Sequence, residues 1–205
     1  MNAGVSDRPC VLMVGLEGSK RHVKRAGATI TRISVKHRGL PAGSGPGKGW
    51  YETRFETPYL RDELMTRGVG IDTLETATSW SNLHRLHQAV RDALAQALRD
   101  DNITGEPVVL GHISHSYQTG ASLYFTYFFP MKIGHEIEQW LNIKQRASDA
   151  IRDHGGTISH HHGVGRDHTD WIEPEKGHLG IQVLKATKTA LDPEGLMNPG
   201  KLIPR

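Results

Sequence analysis

The sequence predicts an α+β fold in which an antiparallel sheet is flanked by helices. Two β-rich runs, residues 107–117 and 121–129, follow one another with only three residues between them, which indicates a hairpin. Apolar residues recur at steps of three and four along residues 80–97, which indicates an amphipathic helix. The chain has 205 residues, 37% of them hydrophobic, and this is enough for one domain with an ordinary core.

The N-terminal part is predicted to begin with a strand. Residues 10–16 form a continuous apolar run, which is typical of a strand, and the apolar spacing over residues 23–33 predicts a helix. Residues 39–49 are rich in glycine and proline and predict a mobile loop inside the domain. A short helix near residues 58–67 and a strand over residues 69–76 complete this part.

The C-terminal part is predicted to place helices around the hairpin. The first helix runs from Ser79, a suitable capping residue, to about residue 99. Its apolar stripe consists of Trp80, Leu83, Leu86, Val90, Leu94 and Ala97. A second helix carries apolar residues between positions 133 and 151 and stops at Gly155-Gly156. A histidine-rich loop follows, and a last helix over residues 179–191 precedes a tail rich in proline and glycine.

Charge and composition exclude several classes of protein. The net charge is +3, with basic and acidic residues interspersed, so no nucleic-acid-binding arm and no nucleic-acid partner are expected. No apolar run approaches the roughly 18 residues of a spanning helix, and the first apolar patch is too short for a signal peptide. Cys10 is the single cysteine. We therefore expect a globular, cytoplasmic protein of a reducing compartment.

The segment from Ser159 to Gly165 is the first candidate site, because it places His160, His161 and His162 side by side between glycines. Three interpretations stay open from the spacing alone. His160 and His162 could ligate a metal, with His168 or a carboxylate completing the site. The segment could be a surface loop that is rich in histidine. It could also be a polar clamp beside an organic cofactor.

Tyr124 and Arg61 are further candidates. The period of a strand puts Tyr124 with Ser122 and Thr126, on the face opposite Leu123 and its apolar partners. A phenol, with its ordinary pKa near 10, needs polar neighbours to transfer protons at neutral pH. Cross-strand packing is the alternative for Tyr124. Arg61 could hold a phosphate through two hydrogen bonds, or pair on the surface with a neighbouring carboxylate.

Several segments together resemble one enzyme family. Residues 156–165 and the tail over residues 191–202 resemble the C-terminal half of FAD-linked oxidases of the vanillyl-alcohol oxidase type. The His-His-His triplet is typical of alkylglycerone-phosphate (alkyl-dihydroxyacetonephosphate) synthases, whereas relatives that oxidise glycolate or D-lactate typically carry Gly-Glu-His. Residues 59–62 are similar to the phosphate-arginine segment of the synthases, and residues 120–125 are similar to their catalytic-tyrosine strand.

The resemblance implies an FAD-dependent enzyme of ether lipid synthesis. Tyr124 would remove a proton from C1 of acyl-dihydroxyacetone phosphate, and Arg61 would bind the phosphate of that substrate. His160, His161 and His162 would support ester departure and proton transfer, with His161 and His162 beside the flavin. A fatty alcohol would replace the acyl group, with no net oxidation or reduction. The cofactor carries the difficult step, and the protein orients it.

The same resemblance implies an organisation and partners. Family members carry an N-terminal FAD-binding domain, and this sequence shows no glycine-rich phosphate-binding stretch before its first predicted strand. We therefore expect residues 1–205 to be the C-terminal substrate domain alone, inactive without a separate FAD-binding half. A membrane surface that supplies lipid substrates and a second copy of the chain are further expected partners. The alternatives to this function are an FAD-dependent 2-hydroxy-acid or alcohol oxidoreductase and an inactive fragment.

Overall fold

The computed structural model describes residues 11–100 and 107–203, which belong to two compact units. The first unit spans Met1–Leu60 and contains helices α1 (Lys20–Lys36) and α2 (Gly45–Thr53), followed by a single 3₁₀ turn, Thr57–Tyr59. Helix α1 begins where the hydroxyl oxygen of Ser19 accepts a hydrogen bond from the His22 amide at 3.3 Å. The predicted first helix is therefore confirmed.

Two predictions for the first unit are wrong. Residues 11–16 have no regular secondary structure, and Val11 is 85% exposed; Cys10 lies outside the described residues. The other described elements of this unit are helical, and a strand without a hydrogen-bonding neighbour is not stable. The predicted loop over residues 39–49 ends early because α2 begins at Gly45. Pro46 stands in the first turn of α2, where its missing N–H and fixed φ suit a helix.

The second unit, Arg61–Arg205, is built on a three-stranded antiparallel sheet. Its strands are β1 (Val69–Ser79), β2 (Val108–Ser116) and β3 (Gly120–Pro130), in the spatial order β1-β3-β2. Helix α3 (Leu60–Thr66) leads into β1. The predicted hairpin is confirmed as β2–β3, and the predicted α+β class with it.

The alternation predicted for β3 is also confirmed. Leu123, Phe125, Tyr127 and Phe129 are buried, while Tyr124 and Thr126 are only half-buried. We call the Tyr124 side of the sheet the open face and the Phe125 side the core face. Glu75 of β1 and His112 of β2 both pair with Tyr124 and therefore share the open face with it.

Two helices cover the core face. Helix α4 (Leu83–Asp100) packs against β2 and β3, and α5 (Glu136–Asp153) packs against α4. The α4 stripe is buried as predicted from Leu83 to Ala97, but Trp80 is not part of it. Trp80 lies in a 3₁₀ turn, Trp80–Asn82, and is 44% exposed.

The apolar face predicted for the next helix is partly wrong. Ile133 precedes α5, and Ile137 and Leu141 are exposed; the buried side includes the polar residues Gln139 and Lys144 instead. Lys144 is retained there because its ammonium group contacts the carboxylate of Asp72 at 3.2 Å. The same Asp72 oxygen accepts hydrogen bonds from the Trp140 indole at 2.7 Å and the Tyr127 hydroxyl at 3.1 Å. Burial raises the pKa of Asp72, but Lys144 and Trp140 outweigh it and lower that pKa below its ordinary value.

Helix α6 (Thr169–Leu191) begins ten residues earlier than predicted. Gly177 has φ 74° and ψ 161°, which breaks the helix into two parts, and the predicted start near residue 179 belongs to the second part. Trp171 and Ile172 of the first part are buried, so this part contributes to the core. No helix of the described residues combines the length and apolar character needed to cross a bilayer.

Candidate functional site

The histidine segment is held against the outer edge of β1. The Thr157 amide donates to the Ala77 carbonyl at 3.0 Å, and the His160 amide donates to the Glu75 carbonyl at 3.2 Å. The carboxylate of Glu175 in α6 holds the residues just before the histidines, because it accepts hydrogen bonds from the Thr157 hydroxyl at 2.9 Å and the Ile158 amide at 2.7 Å. The histidines are therefore presented by an anchored backbone.

A tight turn brings the three imidazoles together. His161 has φ 44°, in the left-handed region that L-residues rarely adopt, and the His162 amide donates to the His160 carbonyl at 2.6 Å. On a regular strand the side chains of neighbours point to opposite sides. Here neighbouring ring centroids are only 4.9 Å apart for His160–His161 and 4.6 Å apart for His161–His162.

The imidazoles converge on one carboxylate, that of Glu75 in β1. Its Oε1 is 3.2 Å from Nδ1 of His160, and its Oε2 is 3.1 Å from Nε2 of His161 and 3.0 Å from Nε2 of His162. His115 of β2 approaches Oε1 at 3.4 Å. The side chain of Glu75 is 1% exposed, so its carboxylate is shielded from water.

Glu75 stays ionised despite its burial. Burial raises its pKa, but hydrogen bonds from Ser114, Ser122, His160 and His115 outweigh this effect and lower the pKa to about 2. The hydroxyls of Ser114 and Ser122 are themselves 2.6 Å apart. A buried negative charge therefore faces four imidazoles at neutral pH.

The sequence interpretation missed Glu75, Ser114 and His115. A signal was present, because Glu75 is a carboxylate between Leu74 and Thr76 in the strand predicted over residues 69–76. Its partners are 39 to 87 residues away along the chain, and they are brought together by the register of the three strands and by the path of the histidine segment along β1.

Tyr124 lies at one end of the histidine row. Its ring is 5.2 Å from that of His112 and 5.8 Å from that of His162, measured between centroids. Across residues 11–100 and 107–203, the Tyr124 hydroxyl makes no hydrogen bond. Val108, Leu110 and Phe128 continue the open face beyond Tyr124, and the first two are exposed. An ionisable phenol therefore borders an exposed apolar surface.

Arg61 does not lie beside Tyr124 and the three histidines. It stands in α3 and lines a cavity of about 280 Å³ together with apolar residues such as Phe129 and with the acidic residues Asp72 and Glu136. Ile71, another residue of this cavity, precedes Glu75 by four positions in β1, which is about 13 Å along a strand. Among the described residues, no hydrogen bond or ion pair joins Arg61 to Tyr124 or to the three histidines. Its phosphate-binding role stays a prediction.

The donor atoms of Glu75, His115, His160 and His161 all lie within 4.8 Å of one another, close enough for one ion. However, both ring nitrogens of His160 already have hydrogen-bond partners, Glu75 and the hydroxyl of Tyr117. We therefore interpret the cluster as a hydrogen-bonded network. The metal interpretation named His168 or a carboxylate as the third ligand: the structure places the carboxylate of Glu75 with the histidines, whereas His168 is half-buried beside Trp171 and does not contact Glu75 within the described part of the chain. Burial lowers the pKa of His168.

The helix-backed antiparallel sheet thus presents a phenol and a row of imidazoles on its open face, groups that can transfer protons and form hydrogen bonds. The sequence comparison identifies the family. Residues 2–202 match the family "FAD linked oxidases, C-terminal domain", and the chain belongs to that family.

Among its relatives are alkyldihydroxyacetonephosphate synthases. The chain is 33% identical to the one from Dictyostelium discoideum and 29% identical to the one from Trypanosoma brucei brucei, in each case over 95% of the chain. It spans 32% and 31% of their lengths, so about a third of each relative. A solved structure of an alkyldihydroxyacetonephosphate synthase matches 89% of the chain, at a TM-score of 0.63 and 28% identity, and 30% of that structure is covered. An uncharacterised FAD-linked oxidoreductase, YgcU of Escherichia coli, is 29% identical over 97% of the chain and 42% of its own length.

Proposed function

We propose that the chain forms the substrate side of an FAD-dependent enzyme of the alkylglycerone-phosphate synthase type. This enzyme would exchange the acyl group of acyl-dihydroxyacetone phosphate for a fatty alcohol. The observation that carries the proposal is the row of three histidines, fixed on the buried carboxylate of Glu75 and ending at Tyr124 on the open face. Similarity to two synthases over 95% of the chain supports the same reaction.

The open face suits an amphiphilic substrate. Val108 and Leu110 expose about half of their surface in line with Phe128, so an alkyl chain can lie along these strands. His161 and His162 expose 54% and 40% of their side chains at the other end of the same face. The ester end of the substrate, where the exchange takes place, therefore meets the imidazoles while the alkyl chain contacts apolar side chains.

The residues present also fit a flavin ring. The imidazoles of His161 and His162 are partly exposed and can donate and accept hydrogen bonds at the rim of such a ring. We expect these two histidines to border the ring. The flavin, when bound, supplies the exchange of carbon–oxygen bonds at C1 without net oxidation or reduction. The FAD-binding domain of such an enzyme is the expected partner of this chain.

Side chains of this chain carry out the proton transfer, the stabilisation of the leaving group and the binding of the phosphate. Tyr124 acts as base and then as acid: as a phenolate it accepts the proton from C1 of the substrate, and it returns a proton to C1 once the alcohol has replaced the acyl group. His161 and His162 contact Glu75 through Nε2; when both ring nitrogens carry a proton, Nδ1 donates to the oxygens of the departing carboxylate and so stabilises the negative charge that develops there. Arg61 binds the phosphate through its planar guanidinium group.

The test uses a protein that contains this chain and an FAD-binding domain, with FAD bound. Acyl-dihydroxyacetone phosphate and a fatty alcohol are supplied, and released fatty acid and ether product are measured. Tyr124→Phe and Arg61→Lys should each lower turnover by about 100-fold or more. Tyr51→Phe, a change of an exposed tyrosine in the first unit, is the control and should keep the wild-type rate.

Two results would contradict the proposal. Wild-type turnover in both variants would refute the assigned roles. Reduction of the bound flavin by a 2-hydroxy acid under anaerobic conditions, with no ether product, would favour the oxidoreductase instead.

A further inference from the structure

Tyr117 is a second tyrosine of the site, and its backbone is fixed at the end of the hairpin. Its amide donates to the Gly120 carbonyl at 2.8 Å, and its carbonyl accepts from the indole of Trp80 at 2.9 Å. This contact explains why Trp80 leaves the α4 stripe. Tyr117 is 50% exposed, so a substrate can approach this residue.

The Tyr117 hydroxyl has a base within hydrogen-bond distance. It is 3.0 Å from Nε2 of His160, whose Nδ1 is 3.2 Å from Oε1 of Glu75. An ionised carboxylate can only accept, so in the neutral imidazole Nδ1 carries the proton and Nε2 accepts from the phenol. Hydroxyl, imidazole and carboxylate in this order form the arrangement that activates a hydroxyl group in many enzymes.

The two tyrosines stand at opposite ends of the histidine row. The ring centroids of Tyr117 and His160 are 5.9 Å apart, and those of His162 and Tyr124 are 5.8 Å apart. His161 lies between the two histidines. Only Tyr117 has an imidazole base on its hydroxyl within the described ranges, so the two phenols differ in what they can do.

We propose that Tyr117, with His160 and Glu75, takes the hydroxyl proton of the entering alcohol in the exchange reaction. This inference rests on the proposed function. The alcohol O–H proton passes to the Tyr117 oxygen while the Tyr117 proton passes to Nε2 of His160. The alcohol oxygen forms its bond to C1, the acyl carboxylate takes the electron pair of the bond it leaves, and the imidazolium releases its proton to water. Glu75 stays ionised throughout and stabilises the imidazolium.

The first test examines the hydrogen-bonded chain itself and needs no cofactor. Imidazole ¹⁵N NMR of the purified protein should show His160 protonated at Nδ1 and accepting at Nε2. Tyr117→Phe should change the Nε2 shift of His160, and Glu75→Gln should change the Nδ1 shift. Tyr51→Phe is the control and should change neither. An unchanged Nε2 shift in Tyr117→Phe would overturn the proposal.

The second test separates the two halves of the reaction in the FAD-loaded protein. Exchange of labelled fatty acid into the substrate needs no alcohol, so Tyr117→Phe should retain it within about threefold of wild type. Ether formation in the same variant should fall by about 100-fold or more, with a lower sensitivity to pH, because the loss of a general base typically costs that much. Tyr124→Phe should lose both.

The outcomes are distinguishable. Equal ether formation in wild type and Tyr117→Phe would refute the role of Tyr117 and leave the proposed function intact. Equal losses of both half-reactions in Tyr117→Phe would make it a structural residue and also refute this role. Absence of both half-reactions in the wild type would refute the proposed function, while the NMR test would still decide whether Tyr117 is bonded to His160.

Discussion

Replacing Glu75 by Gln should remove a large part of the stability of the second unit, and the loss should depend on pH. The pKa of Glu75 falls from an ordinary 4.5 to about 2 on folding. At 1.36 kcal/mol per pH unit, this difference corresponds to about 3 kcal/mol. Because the folded pKa is the lower one, this stabilisation is complete above pH 4.5 and is lost as the pH falls towards 2. About 2 kcal/mol of it should be lost between pH 6 and pH 3.

Urea unfolding at the two pH values measures this directly. In a Trp50→Phe background the remaining tryptophans, at positions 80, 140 and 171, all belong to the second unit, so their fluorescence follows that unit alone. The gap in unfolding free energy between wild type and Glu75→Gln should be about 3 kcal/mol at pH 6 and about 1 kcal/mol at pH 3.

Glu138→Gln is the matched control. Glu138 is also 3.0 Å from a histidine, His135, but its side chain is 80% exposed, and exposed ion pairs contribute little. This variant should therefore unfold like the wild type at both pH values. A gap between wild type and Glu75→Gln that is the same at pH 6 and pH 3 would refute the account of Glu75 as a buried ionised carboxylate.

Two further predictions concern packing. Asp72→Asn leaves the ammonium group of Lys144 buried without its counter-charge, and urea unfolding at pH 7 should show a loss of about 3–5 kcal/mol, whereas a loss below about 1 kcal/mol would contradict the role of the pair. Gly156→Ala places a Cβ 2.5 Å from the hydroxyl oxygen of Thr76 and 2.8 Å from a methyl group of Leu86, so thermal unfolding should show a cost of about 1–3 kcal/mol. At Gly49 the added Cβ meets nothing within 4 Å, so Gly49→Ala should not destabilise; equal melting temperatures for the two variants would refute the argument.

The sheet and its backing helix could be predicted because their signals are local. The alternation in β3 and the stripe of α4 follow from the period of each element, and both are confirmed. The wrong predictions have physical causes that the spacing of apolar residues does not show. The apolar run over residues 11–16 finds no strand to pair with in its own unit, and Trp80 leaves the α4 stripe because its indole has a hydrogen-bond acceptor in the hairpin turn.

The candidate site could be predicted only in part. The histidine triplet and Tyr124 are visible as residues of a motif, and the structure places them in one row. The residue that holds the row, Glu75, was not predicted, because its contacts depend on the register between β1 and β3 and on the path of residues 157–160 along the edge of β1. Such contacts join distant parts of the chain, and no short sequence pattern records them.

The backbone of the histidine segment also protects the sheet from association. β1 is an outer strand, and an outer strand with free amide and carbonyl groups is a template for the strands of other molecules. The amides of Thr157 and His160 occupy the Ala77 and Glu75 carbonyls on that edge. Side-chain changes at the histidines would keep this cover, whereas a deletion within residues 157–160 would open it. Point substitutions of the histidines should therefore reduce activity and leave solubility normal, whereas deletions in this segment should reduce solubility itself.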